Sequence, residues 1–200
     1  MPSASNRAIE IIKKNGGIIK TSNAISKGIH PRTLYELRDN GTIEQIVRGV
    51  YRLTELEAIS NPDLVAVASK FPNAVICLIS ALSFHNITTQ IPHDVSIAIN
   101  RVSRSPKIDY PPISVYRFSK ESFIEGIEYH EVDGITIKVY SAEKTVADCF
   151  KFRNKIGMEV VLEAIKFYKS RKKFNLEKLL EYGKICRVQR IMMPYLEVMI

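Results

Sequence analysis

Arg32, Thr33, Tyr35 and Glu36 follow a proline at position 31. Their chemistry is that of base recognition: arginine can bond guanine O6 and N7 together, and glutamate can accept from cytosine N4. Stepping at about 100° per residue, Leu34 and Leu37 share one side of a helix over Pro31–Asn40. Arg32, Tyr35, Glu36 and Asp39 share the other side, with Thr33 and Arg38 flanking. The N-terminal residues of a recognition helix face the bases, so this stretch is expected in the major groove of DNA. An ordinary surface helix with scattered charges is the alternative.

That helix needs elements to position it. Ser22 is a candidate cap for a short preceding helix. Gly28 suits the left-handed residue that ends it, with Ile29 as the apolar contact beyond. His30 precedes a proline and is pushed toward an extended conformation, and Pro31 suits a first helical position. The gap of three or four residues matches a helix-turn-helix. Ile43, Ile46, Val47, Val50 and Leu53 then read as a ribbon, with Gly49 permitting a tight turn. Arg48 stands at its tip, placed to meet a phosphate or the minor groove; a plain hairpin with a solvated arginine is the other reading. With a first helix through Lys14, ended by Asn15-Gly-Gly17, these form a winged helix-turn-helix over residues 1–55.

Other patterns invite a catalytic reading but lack a required partner. Ser141-Ala-Glu-Lys144 matches S-x-x-K, yet the S-D-N and K-T-G triplets are absent; a helix-capping serine accounts for it. Asp133 with Thr136-Ile-Lys138 approaches a metal-nuclease pattern, but Thr136 stands where the second acid belongs. His30, His85, His93 and His130 lack zinc-type spacing, and no glycine-rich phosphate loop occurs. The expectation is a non-enzyme with no cofactor and no metal.

Residues 56–200 read as an α+β domain with a mostly antiparallel sheet and a helical C-terminal part. Asn61-Pro62-Asp63 opens a helix. Ala74–Leu78 is a strand or a helix start, and Ser80–His85 is helical. Strands are expected at Asp94–Asn100, Ile113–Phe118, Tyr129–Val132 and Ile135–Tyr140, the last two joined by a hairpin at Asp133-Gly134. Ser141 caps a helix through Lys151. Helices follow at about Met158–Lys169 and from Asn175 to Tyr182. Lys184–Ile200 is mainly helical, with Pro194 expected to kink or split it.

The 200 residues carry a formal net charge of +8, unevenly spread. Residues 1–53 hold nine Lys/Arg against four Asp/Glu, residues 54–140 seven against ten, and residues 141–200 thirteen against seven. Basic ends around an acidic middle suit a polyanion partner or two different partners. Cys77, Cys149 and Cys186 are isolated and apolar-flanked, as expected of buried thiols in a reducing cytoplasm. The N-terminus lacks an apolar signal core, and no apolar run approaches the ~20 residues of a membrane span. The expected location is cytoplasmic.

Ile76-Cys-Leu-Ile-Ser-Ala-Leu-Ser-Phe-His-Asn-Ile-Thr-Thr-Gln-Ile-Pro-His-Asp-Val95 resembles the domain that follows the winged helix in AbiEi-type antitoxins. So does Val139-Tyr-Ser-Ala-Glu-Lys-Thr-Val-Ala-Asp-Cys-Phe-Lys-Phe-Arg-Asn-Lys-Ile-Gly157, and Cys186-Arg-Val-Gln-Arg-Ile-Met-Met-Pro-Tyr-Leu196 resembles that family's end. The resemblance implies a type IV toxin–antitoxin (abortive infection) system. In that family the winged helix represses its own operon at paired repeats in double-stranded DNA. The C-terminal domain counters a nucleotidyltransferase-like toxin, not necessarily through a stable complex. By position, the DNA-binding role carries onto Ser22, Lys27, Arg32, Thr33, Tyr35, Glu36 and Arg48, with Arg38 flanking. Arg153, Lys155, Lys169, Arg171, Lys172, Lys173, Arg187 and Arg190 are the candidates for a second basic face, for DNA or antitoxicity; a solvated helical surface is their other reading. The alternative function is a stand-alone winged-helix regulator whose second domain senses a ligand or dimerises.

Overall fold

The structure, a computed structural model, describes residues 3–199. The chain divides into two compact units. The first extends to Pro72 and takes in Glu131–Thr136; the second holds Asn73–His130 and the described residues from Ile137 onward.

The first unit begins with α1 (Ala4–Lys14), whose N–H at Asn6 donates to the Ser3 hydroxyl at 3.1 Å. Ala8 and Ile12, one turn apart, are its buried residues. Gly16 and Gly17 both take positive φ, and the Gly17 N–H returns to the Ile12 carbonyl, ending the helix. Then follow β1 (Ile18–Lys20), α2 (Thr21–Ser26), α3 (Pro31–Asp39), β2 (Ile43–Val47), β3 (Val50–Leu53) and α4 (Pro62–Lys70). The strands form an antiparallel sheet in the order β1-β3-β2, with Ile19 opposite Tyr51 and Ile43 opposite Leu53. One core joins sheet and helices: Ala8, Ile12, Ile19, Ala24, Ile29, Leu34, Leu37, Ile43, Tyr51 and Leu53. Arg52 is buried in the sheet; its guanidinium pairs with Glu44 at 3.2 Å and donates to the Glu57 carbonyl at 2.5 Å. It thereby ties the segment after β3 back to the ribbon. Asn61 makes no side-chain cap at α4, which starts instead on Pro62 with Asp63 in its first turn.

The second unit is built on a five-stranded sheet ordered β6-β5-β4-β8-β7. Its elements in chain order are β4 (Val75–Ile76), α5 (Leu78–Phe84), β5 (Val95–Asn100), β6 (Ile113–Phe118), α6 (Lys120–Ile124), β7 (Ile127–Val132), β8 (Ile135–Tyr140), α7 (Ala142–Lys151), α8 (Arg153–Ile156), α9 (Met158–Lys169), α10 (Leu176–Ile185) and α11 (Gln189–Met199). The tip of the β7–β8 hairpin counts with the first unit, where Asp133 accepts from the Ser60 N–H and hydroxyl at 3.0 and 2.9 Å.

The sheet is mixed, which corrects the expectation of a mostly antiparallel one. β5 and β6 run parallel, from Val95 opposite Ile113 to Asn100 opposite Phe118, and β4 pairs with β8 in parallel. Only β4 with β5 is antiparallel among these three pairings. A parallel pair needs a long connection, and residues 101–112 supply it for β5 and β6. The ambiguous run Ala74–Leu78 is both strand and helix start: two residues of it form the central strand and Leu78 opens α5.

α7 lies in the core, with almost every residue buried. Ser141 caps it, its hydroxyl accepting from the Lys144 N–H at 3.3 Å. Asn175 caps α10 through the Lys178 N–H at 2.9 Å. Arg187, at φ 60°, separates α10 from α11. Pro194 lies inside α11 without splitting it; a missing N–H removes one bond of the ladder and leaves the rest.

Candidate nucleic-acid interface

α2 ends where the sequence places its stop. The Gly28 N–H donates to the Ile25 carbonyl and the Ile29 N–H to the Ala24 carbonyl, both at 2.9 Å, with Gly28 at φ 85°. Ile29 is buried just beyond, as the apolar contact of such a terminus. The start of α2 differs from expectation. Lys20 holds the cap position and no side chain caps it, so Ser22 is an exposed first-turn residue rather than a cap. The pairing of β1 with β3 brings Thr21 beside Gly49, whose carbonyl accepts from the Thr21 N–H at 2.9 Å and from its hydroxyl at 3.3 Å. A contact distant in the chain thus meets the N–H of the first residue of α2.

His30 is extended, as a residue before proline should be, and it does more. Its Nδ1 accepts from the Arg32 N–H at 3.2 Å and caps α3. A histidine before Pro31 was legible as an extended residue.

On α3, Leu34 and Leu37 are buried and Arg32, Tyr35, Glu36, Arg38 and Asp39 are exposed. The Arg32 side chain is 83% exposed and Tyr35 is 49% exposed, so the packing of the first unit's own core leaves this face open. Thr33 differs from the expectation: it is buried, and with Arg7, His30 and Ile29 it lines a groove of about 210 Å³ beside α1. A residue flanking the apolar stripe is covered where α1 packs beside it. Two ion pairs order the exposed face. Arg32 Nε donates to Glu36 Oε1 at 3.1 Å. Arg38 donates from Nε and Nη2 to Asp39 Oδ1 at 2.9 and 2.7 Å, and its guanidinium carbon lies 5.3 Å from the centre of the Tyr35 ring.

Arg48 and Gly49 form the turn between β2 and β3, with Gly49 at φ 83° and Val47 opposite Val50. A bulge between Gln45 and Val47 twists the ribbon just before it. Arg48 is exposed, and so are Lys27 and Ser22.

The second basic set is dispersed along the C-terminal helices. Arg153 is half-buried and donates from Nη1 to the Phe150 carbonyl at 2.9 Å, which occupies part of its guanidinium at the end of α7. Lys155 is exposed, with its ammonium 5.7 Å from the Tyr116 ring centre. Lys169 donates to the Met199 carbonyl. Arg171, Lys172 and Lys173 are exposed between α9 and α10, and Arg187 and Arg190 are exposed at the α10–α11 turn. Among the described residues none of these eight forms an ion pair.

The residues considered for catalysis hold structural positions. Lys144 is fully buried and pairs with Asp148 at 2.5 Å. Cys186 Sγ donates to the other Asp148 oxygen at 3.1 Å. Burial pushes the Asp148 carboxyl up from its ordinary range and the Cys186 thiol up to about 12. Asp133 is held by Ser60, and Thr136 donates to Glu131 Oε1 at 2.5 Å. His85 and His130 lie near one another, with ring centres 6.3 Å apart, but bond elsewhere: His85 Nε2 to the Tyr140 carbonyl at 2.7 Å, His130 Nε2 to Glu128 at 3.2 Å. Among the described residues no group of three or more His, Cys, Asp or Glu side chains is placed to hold a metal ion.

The fold and site define an α+β protein whose first unit sets an exposed, arginine-bearing helix and a hairpin with an arginine at its turn around one small core. Over residues 6–54, the segment that carries Arg32 and Arg48, the chain matches the family model described as "Transcriptional regulator, AbiEi antitoxin". Among solved structures, the RV2827C protein from Mycobacterium tuberculosis has the same fold, with a TM-score of 0.57 at 12% identity over 98% of this chain and 82% of that one. No curated protein matches the chain. Among the described residues no helix is long and apolar enough to cross a membrane.

Proposed function

We propose that residues 1–55 form a winged helix-turn-helix that binds operator repeats in double-stranded DNA, with α3 in the major groove and Arg48 at the wing tip. Residues 56–200 form the antitoxin domain of a type IV system that counters a nucleotidyltransferase-like toxin. The protein acts by binding, without catalysis or a cofactor, and represses its own operon. One observation carries this reading: Arg32, Tyr35 and Glu36 face solvent from a helix whose leucines are buried, inside the segment that matches the antitoxin regulators. Phosphate contacts from Lys27, Arg48 and neighbouring cations supply affinity, and the α3 face supplies sequence choice.

Titration of a duplex from the gene's own upstream region tests the first half. With about six phosphates contacted, raising salt from about 50 to about 200 mM weakens binding by roughly a thousandfold. Binding that is flat with salt refutes it. Co-expression with a neighbouring nucleotidyltransferase gene, scored for growth rescue, tests the second half.

A second reading, a regulator without antitoxicity, is favoured by the extent of the match, which ends at residue 54. In that case the second unit senses a ligand or dimerises, and co-expression gives no rescue.

A further inference from the structure

The two exposed arginines of α3 are held in different ways, and the difference assigns them different tasks. Arg38 is bound at two of its three nitrogens by Asp39 and lies over Tyr35. Its charge is matched by the adjacent acid, and its guanidinium carbon lies 5.3 Å from the tyrosine ring centre. Arg32 is held at one nitrogen only. Glu36 takes Nε, and among the described residues neither Nη1 nor Nη2 has a partner. Those two nitrogens are the fork that spans O6 and N7 of a guanine end-on. An arginine side chain otherwise loses much rotamer freedom when it docks. A carboxylate four residues on, fixing Nε, reduces that loss before DNA arrives.

Resting on the reading of α3 as the DNA-contacting helix, we propose that Glu36 is a positioning residue that presents the Arg32 fork to a guanine, and that Arg38 braces Tyr35 rather than contacting phosphate. Glu36 is therefore not a reader of cytosine. Its carboxylate also repels the phosphate backbone, so it raises selectivity while lowering affinity for DNA in general.

The full-length protein and the variants Arg32→Ala, Glu36→Gln, Glu36→Ala and Arg38→Ala are compared on two probes. One is a duplex pool with a randomised core, sequenced after selection; the other is one fixed duplex of mixed sequence, titrated against salt. The natural chain enriches guanine at one position, and Arg32→Ala reduces that preference about tenfold or more. Glu36→Gln keeps an acceptor for Nε and retains part of the preference, while Glu36→Ala falls to the level of Arg32→Ala. On the fixed duplex both Glu36 variants bind at least as tightly as the natural chain. A folding defect would weaken both readouts together, so the opposite signs separate positioning from damage. Arg38→Ala leaves the guanine preference and the salt slope unchanged, whereas loss of a phosphate contact lowers the slope by about one.

The proposal is overturned if Glu36→Ala keeps the full guanine preference, if the Glu36 variants lose a cytosine preference instead, or if Arg38→Ala lowers the salt slope. Those results leave DNA binding standing. Failure of the natural chain to bind any duplex overturns both this inference and the function on which it rests.

Discussion

Breaking the buried Lys144–Asp148 pair should destabilise the second unit by about 3–5 kcal/mol, because one charge is left in the core without its partner. Both side chains are wholly excluded from solvent, with Nζ 2.5 Å from Oδ2. Lys144→Met leaves the carboxylate with the Cys186 thiol on its other oxygen, a neutral and weaker donor. Asp148→Asn leaves an ammonium facing the Tyr140 and Phe118 rings, whose centres lie 4.1 and 4.9 Å away. Cation–π attraction of about 2 kcal/mol offsets only part of that burial. Replacing both, as Lys144→Met with Asp148→Leu, removes both charges at similar volume and recovers most of the loss. Urea unfolding followed by circular dichroism and tyrosine emission measures this; the chain has no tryptophan to dominate the signal. Single substitutions costing under about 1 kcal/mol would place the pair with exposed ion pairs and refute the argument. So would a double variant as unstable as the two singles added together, since coupled neighbours must deviate from additivity.

Leu37→Ala, at a side chain 1% exposed in the first unit's core, should cost about 2–5 kcal/mol; duplex binding should fall with the melting of that unit, while the second unit's unfolding is unchanged. The His85 ring is held below its ordinary range, chiefly by burial. The unfolded chain therefore takes up a proton there first, and stability rises with pH through this window. Acidification from about pH 7 through about 6.5 should destabilise the natural chain more than His85→Gln, read as melting temperature against pH; parallel curves would exclude His85 as the cause.

Local chemistry made much of this protein legible from its residues. Gly28, Ile29 and Pro31 end one helix and start the next because backbone conformation there depends on a few adjacent atoms. Ser141 and Asn175 cap α7 and α10 for the same reason. The spacing of Leu34 and Leu37 was enough to point Arg32, Tyr35 and Glu36 outward, since the helical period acts within two turns. What the tertiary structure decided involves partners distant in the chain. Thr33 is buried because α1 packs against its flank, and the Gly49 carbonyl accepts from Thr21 at the start of α2 because β1 pairs with β3. The parallel pairing of β5 with β6 follows from how a twelve-residue connection is routed, which alternating strands do not encode. The S-x-x-K spacing said nothing of burial at Lys144; it is a core residue because α7 is enclosed by the sheet and the C-terminal helices, where Asp148 one turn on is its counter-charge.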